Sequence, residues 1–264
     1  MDMERSIVLR ISLLAGLLAV SGCYEAEPAP QITGQQSPLL LPAAEAPLPR
    51  YRLVGRSVQG RPIAVHILGE GGETVFVMAS IHGSEPAGTP LVGMLTEHLR
   101  RNPSLLEGRR IVLMPVANPD GIAAGTRENV RGVDLNRNFE ASNRIDNRTN
   151  GYEPLSEPES RALQKIISEY RPSRIVSIHQ PLNCIDFDGP GRALAARMAQ
   201  YCDLPVKKLG AKPGSLGAYT GDELGIPTIT FEMPAEASRQ SDAVLWRKYG
   251  KALLAAIVYP EYAK

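Results

Sequence analysis

The sequence predicts an α/β domain with a mixed, mostly parallel sheet and helices on both faces. Two observations predict it. Short continuous apolar runs, such as TVFVMAS at residues 74–80 and RIVLMPV at 110–116, have the length of strands buried on both faces. Between them lie longer stretches in which apolar residues recur at helical spacing, and such alternation is the pattern of a sheet covered by helices. The chain of 264 residues, 43% hydrophobic and 22% charged, is long enough for one such domain with a sizeable core.

The elements follow in order. Residues 51–57 and 62–68 flank Gly60 and read as a hairpin. The strand at 74–80 runs into IHGSEPAG and then a helix at 89–101, where Leu91, Met94, Leu95 and Leu99 form a stripe and Pro86 suits the helix start. The strand at 110–116 ends in the turn Asn118-Pro119-Asp120-Gly121, and a long polar loop runs on to Asn150. A helix at 156–170 opens with Ser156 and Glu159 in capping-box spacing. Then come a strand at 174–179, a helix at 192–201, a strand at 228–233 and a closing helix at 242–258.

The first fifty residues differ in kind. Residues 7–20 (IVLRISLLAGLLAV) fall short of the ~20 apolar residues a membrane span needs, but match the apolar core of a signal peptide. They end in VSGC, which resembles the lipobox of bacterial lipoproteins. That resemblance implies a signal peptide at 1–22, lipidation of Cys23 and anchoring in a bacterial cell envelope, facing the periplasm or the exterior. The plainer alternative is a secretory signal or membrane anchor with Cys23 incidental. Residues 23–49 recur in proline without helical or strand period and read as a flexible tether, so the folded domain spans 50–264.

A net charge of +1 argues against a general nucleic-acid binder, which needs a basic surplus. Three cysteines are too few for a disulfide framework, and Cys184 and Cys202 read either as one bridge in an oxidising compartment or, in preference, as two separate thiols. There are only four histidines, so two at metal-ligand positions carry weight. His66 and His98 read as surface or strand-edge residues.

His82-Gly83-Ser84-Glu85 follows a strand, where a turn can bring an imidazole and a carboxylate onto one metal; the same four residues also read as a surface turn with Glu85 at a helix start. His179 ends another apolar strand and, taken alone, reads equally as a core histidine with a satisfied ring. Together the three residues make the His₂Glu set of catalytic zinc, with a position left for water. Glu232 lies on a strand among Ile229, Phe231 and Met233, where a carboxylate is either paired or at work, as a general base for example. Arg127 can face a developing oxyanion, and Asn136 and Arg137 in GVDLNRNF can bind a carboxylate. That segment also reads as a loop-stabilising network around Asp134 and Arg137.

His82-x-x-Glu85, the NPDG turn, Arg127, GVDLNRNF, Ser177-Ile178-His179 and Thr230-Phe231-Glu232 occur in the order found in the zinc carboxypeptidases, and from about Tyr51 onward the chain resembles that family. The resemblance implies one zinc ion on His82, Glu85 and His179. It further implies Arg127 as carbonyl polariser, Asn136 and Arg137 as carboxylate clamp, and Glu232 as base. GRSVQGRPI and PGSLGAY, the latter ending at Tyr219, are similar to the bacterial murein peptide amidase branch, which cleaves the γ-D-glutamyl–diaminopimelate bond of cell-wall peptides. Tyr219 then either closes over substrate or packs. Asp186 and Asp188 read either as partners for the extra ammonium of diaminopimelate or as solvated loop carboxylates. The expected partners are a peptide or muropeptide substrate and a membrane reached through Cys23, with no nucleic acid and no protein partner. Removal of ordinary C-terminal residues, deacylation of small N-acyl amino acids and non-catalytic binding of cell-wall peptides are the alternative functions.

Overall fold

In the computed structural model, which describes residues 48–260, the chain opens with the expected hairpin. Strands β1 (Arg50–Arg56) and β2 (Pro62–Leu68) pair antiparallel, and Gly60 turns between them at a φ of +81°, which suits glycine. β3 (Glu73–Ala79), β4 (Arg109–Met114), β5 (Arg174–His179) and β7 (Thr228–Pro234) are the four apolar runs, and they lie parallel to one another. β6 (Leu182–Asp188) completes a seven-stranded sheet in the order β1-β2-β4-β3-β5-β7-β6. The antiparallel members sit towards its two edges, at β1 and β2 and at β6.

Alternation along the strands divides the core. Val75, Val77 and Ala79 of β3 face a cluster with helices α1 (Gly88–Arg101), α4 (Arg192–Ala199) and α5 (Asp242–Val258). Phe76 and Met78 face the opposite side with α3 (Pro158–Tyr170), Leu135 and Phe139. Arg174 is buried at the start of β5, where its guanidinium donates to the Ala256 and Ile257 carbonyls at 2.6 and 2.8 Å and meets Glu73. A cation there satisfies carbonyls that the end of α5 leaves without helical partners.

Four expectations are corrected. The capping box at Ser156 does not form: α3 begins after Glu157, with no side-chain cap, because Ser156 hydrogen-bonds Asn138 and Glu157 instead. The helix expected at 192–201 ends at Ala199. The NPDG turn continues into a short helix, α2 (Pro119–Ala124), with the Asn118 side chain accepting from the Gly121 amide at 2.9 Å. Asp186 and Asp188 are not solvated loop carboxylates, for they lie on β6 with exposures of 6% and 2%. Cys184 and Cys202 are separate thiols. Cys23, the signal segment and most of the tether lie outside the described residues. Among the described residues no helix is long and apolar enough to cross a membrane.

Candidate metal centre and active site

Strand geometry places the polar residues before any of them interacts. In β5, Val176 and Ile178 face the helical cluster, so Ser177 and His179 point to the other side of the sheet. In β7, Ile229, Phe231 and Met233 do the same, leaving Thr228, Thr230 and Glu232 on the polar side. His179 lies opposite Glu232 in the register, and Ser177 opposite Thr230.

The first two expected ligands sit just beyond β3. The chain there is held by the Asn118 side chain, which donates to Ile81 and Glu128 carbonyls at 3.2 Å. Gly83 presses against the Gly121 backbone, leaving 1.9 Å for an added Cβ, so only glycine fits. This contact sets His82 and Glu85 facing the end of β5.

Ligand atoms of His82, Glu85 and His179 all lie within 4.8 Å of one another, and all three residues are buried. His82 Nδ1 is 2.9 Å from Glu85 Oε1, and His179 Nδ1 is 2.9 Å from Glu85 Oε2. Each ring's other nitrogen is engaged, Nε2 of His82 with Asp134 Oδ1 at 3.0 Å and Nε2 of His179 with Ser177 Oγ at 2.9 Å. With its Nε2 proton given to Asp134, His82 presents a lone pair at Nδ1 to a carboxylate oxygen, and Nδ1 is a buried atom without a hydrogen bond. Two acceptors facing each other in a buried site is an arrangement a cation resolves. The donor set therefore fits a metal ion, and borderline-soft nitrogen with one carboxylate suits zinc.

The carboxylates dominate the electrostatics around the two rings. Burial pushes the Glu85 carboxyl up, but the hydrogen bond with His179 and the close approach of His82 outweigh it and hold the group well below the usual range. Burial likewise opposes ionisation of Asp134, and the His82 hydrogen bond reverses the balance. His82 is pulled down by burial and lifted further by Asp134 and Glu85, so its net shift is upward. Glu232 differs in direction. Burial raises it above the ordinary carboxylate range, and the nearby His179 offsets only part of the effect.

These groups open on a cavity of about 260 Å³. His82, Glu85, His179, Arg127, Asn136, Arg137 and Glu232 all line it. Arg127 is held at its wall by Glu85 Oε1 at 3.1 Å and Asp134 Oδ2 at 3.0 Å. Asn136 accepts from the Leu216 amide at 2.9 Å through Oδ1, which turns its amide nitrogen away from that contact. Burial lowers the Arg137 pKa, as for a cation without full solvation. Tyr219 is the exception: it stacks on Phe139 with ring centroids 5.9 Å apart and is not among the cavity-lining residues.

Two contacts were not anticipated from the sequence. Asp134, read as part of a loop network, is the acceptor for His82, and Ser177 does the same service for His179. Asp134 lies 52 residues from His82, so only its place inside a motif could signal it, whereas Ser177 is two residues from His179 on the same face of β5, a spacing the sequence does show.

The family profile described as "Zinc carboxypeptidase" matches residues 43–185, which takes in every expected site residue of the domain except Asp186, Asp188, Tyr219 and Glu232. Murein peptide amidase A of Escherichia coli (strain K12) is 34% identical over 206 residues, covering 71% of this chain and 82% of that protein. The crystal structure of murein-tripeptide amidase MpaA from Escherichia coli O157 superposes with a TM-score of 0.65 at 28% identity, over 82% of this chain and all of that one (100%). Carboxypeptidase A from Helicoverpa armigera, at 20% identity, shares the fold with a TM-score of 0.68 over 81% of this chain and 70% of its own. On this ground the chain belongs to the zinc carboxypeptidase family, and it is a metallopeptidase of the hydrolase class.

Proposed function

We propose that the protein is a murein peptide amidase that hydrolyses the γ-D-glutamyl–meso-diaminopimelate bond of peptidoglycan stem peptides, with one zinc ion on His82, Glu85 and His179. The observation that carries the chemistry is the convergence, in one cavity, of the buried His-Glu-His set, a carboxylate raised by burial and a carboxylate-binding pair. The choice of bond is supported by the likeness to proteins named murein peptide amidase.

Zinc in such a site supplies Lewis acidity that acidifies water and polarises a carbonyl. Asn136 and Arg137 hold the free α-carboxylate of the residue to be released, which sets the bond in register with Glu232. Glu232 takes a proton from the attacking water and passes it to the departing nitrogen, so hydroxyl ends on the carbonyl carbon and hydrogen on the amine. Burial suits Glu232 to this work, because a raised carboxyl holds a proton more readily between the two transfers. Arg127, held on the cavity wall beside Glu85 and Asp134, would face the oxygen that becomes negative. Cys23 and the leader support a lipid-anchored enzyme on the extracytoplasmic side of a bacterial membrane, where stem peptides are found.

The test is incubation of the zinc-loaded protein with L-Ala-γ-D-Glu-meso-diaminopimelate and mass-spectrometric detection of free diaminopimelate. Glu232→Gln should lower kcat by about 10²–10⁴-fold while leaving bound zinc stoichiometric. Release of ordinary C-terminal residues from α-linked peptides, without release of diaminopimelate, would replace the proposed bond and keep the mechanism.

A further inference from the structure

The polar side of β6 continues the floor of the active-site cavity. In the β6–β7 register Cys184 lies opposite Glu232, Asp186 opposite Thr230 and Asp188 opposite Thr228. Asp186 is therefore one two-residue step, about 6.8 Å, along the strand from the row that carries Glu232. A lysine-length side chain spans such a step. Asp186, Asp188 and Thr230 all line the cavity that the clamp residues of the polar loop also line.

The two aspartates differ in what they already hold. Asp188 is committed: Lys208 Nζ meets its Oδ1 at 2.8 Å, and its Oδ2 lies beneath Gly217, where an added Cβ would fall 2.0 Å away. Asp186 is only half committed. Its Oδ1 accepts from the Leu209 amide at 2.8 Å, while its Oδ2 has no hydrogen bond or ion pair among the described residues, though the residue is only 6% exposed. A buried carboxylate with one free oxygen on a cavity wall is costly unless a cation arrives with the ligand. Three residues beyond Leu209, Lys212 lines the same cavity and makes no ion pair among the described residues.

We propose that Asp186 is the specificity residue for the released amino acid, binding an ammonium at the end of its side chain, with Lys212 meeting the carboxylate carried on the same carbon. The buried Asp186 and the exposed Lys212, both lining the cavity, thus form an acid and a base, matching a zwitterionic side chain better than a simple cationic one. For the identity of that residue the inference rests on the murein reading, and the acidic floor itself does not.

The experiment compares L-Ala-γ-D-Glu-X substrates in which X is meso-diaminopimelate, L-lysine or L-norleucine, using the zinc-loaded full chain. Asp186→Asn keeps an oxygen for the Leu209 amide and removes the charge. It should lower kcat/KM about 10- to 100-fold for diaminopimelate and lysine and leave norleucine unchanged. Lys212→Met should lower diaminopimelate alone. Equal losses on all three substrates would make Asp186 a structural anchor and overturn the proposal. If the wild type cleaves no γ-D-glutamyl bond, the same three residues at the end of α-linked peptides separate the two ideas. A preference for the charged residues that Asp186→Asn removes would keep the acidic floor and discard the bond, whereas indifference would discard both. Calorimetric binding of free meso-diaminopimelate, present in the wild type and lost in Asp186→Asn, is the readout independent of turnover; equal binding by both proteins counts against the proposal.

Discussion

Asp134 accepts at once from His82 Nε2, the Arg127 guanidinium and the Asn136 amide, so one carboxylate sets the tautomer of a proposed ligand and the place of two substrate-facing residues. Asp134→Ala should weaken zinc binding about 10- to 100-fold, as loss of a ligand's hydrogen-bond partner does. Competition against a chromophoric chelator measures this, and an unchanged affinity would mean that the ring of His82 is oriented by packing alone. Residues differed in how far they could be read without coordinates. His82 and Glu85 are three apart at a strand exit, so their pairing is local and the sequence shows it. Asp134 lies 52 residues from His82. No local rule links them, and the contact exists only because the polar loop folds back over the end of β3.

At the scale of elements, the exit of β3 and the start of α2 are pressed together at Gly83 and Gly121. Gly83→Ala would drive a methyl group into the Gly121 backbone, costing about 1–3 kcal/mol and moving His82 and Glu85 from His179. Lowered thermal stability together with weaker zinc affinity is the expected result, while a wild-type zinc affinity would show that the turn can relax elsewhere. Helix α3 supplies a second case. Glu159 in its first turn is fully buried, and burial raises its pKa despite the hydrogen bonds from Val58 and Asn129. A carboxyl raised in the folded state contributes stability that is complete below its unfolded value, near 4.3, and is lost as pH rises through the folded value. Stability of the wild type should therefore carry a downward component above that pH, and Glu159→Gln should remove it. Urea melts across pH 4 to 7 would show this, and identical slopes for the two proteins would refute it. The baseline of the variant should also fall by about 1 kcal/mol, because its amide no longer accepts from Asn129.

For the molecule as a whole, the candidate metal centre joins the segment after β3 to the end of β5, two neighbouring parallel strands of the sheet. An ion bound only by the folded state stabilises by mass action, by about 4 kcal/mol at a thousand times its Kd. For a domain of this size that raises Tm by roughly 8–16 °C. A chelator should reverse the shift and His179→Ala should abolish it. A Tm indifferent to both zinc and chelator would remove the metal from the account.

The sequence by itself determined the alternation of buried strands and helices, because burial on both faces demands continuous apolar runs. It determined the family as well, through the order of the motifs from His82 to Glu232. It did not determine β6, whose alternation of Ile185 and Phe187 with Cys184, Asp186 and Asp188 resembles a polar loop until a cavity is known to lie on one side. Tyr219 was open for the same reason, and only the tertiary structure shows its ring stacked on Phe139. Patterns that answer to solvent and core are written locally along the chain. Whether a polar group faces water, a cavity or a distant partner depends on which segments meet, and only the folded sheet brings those segments together.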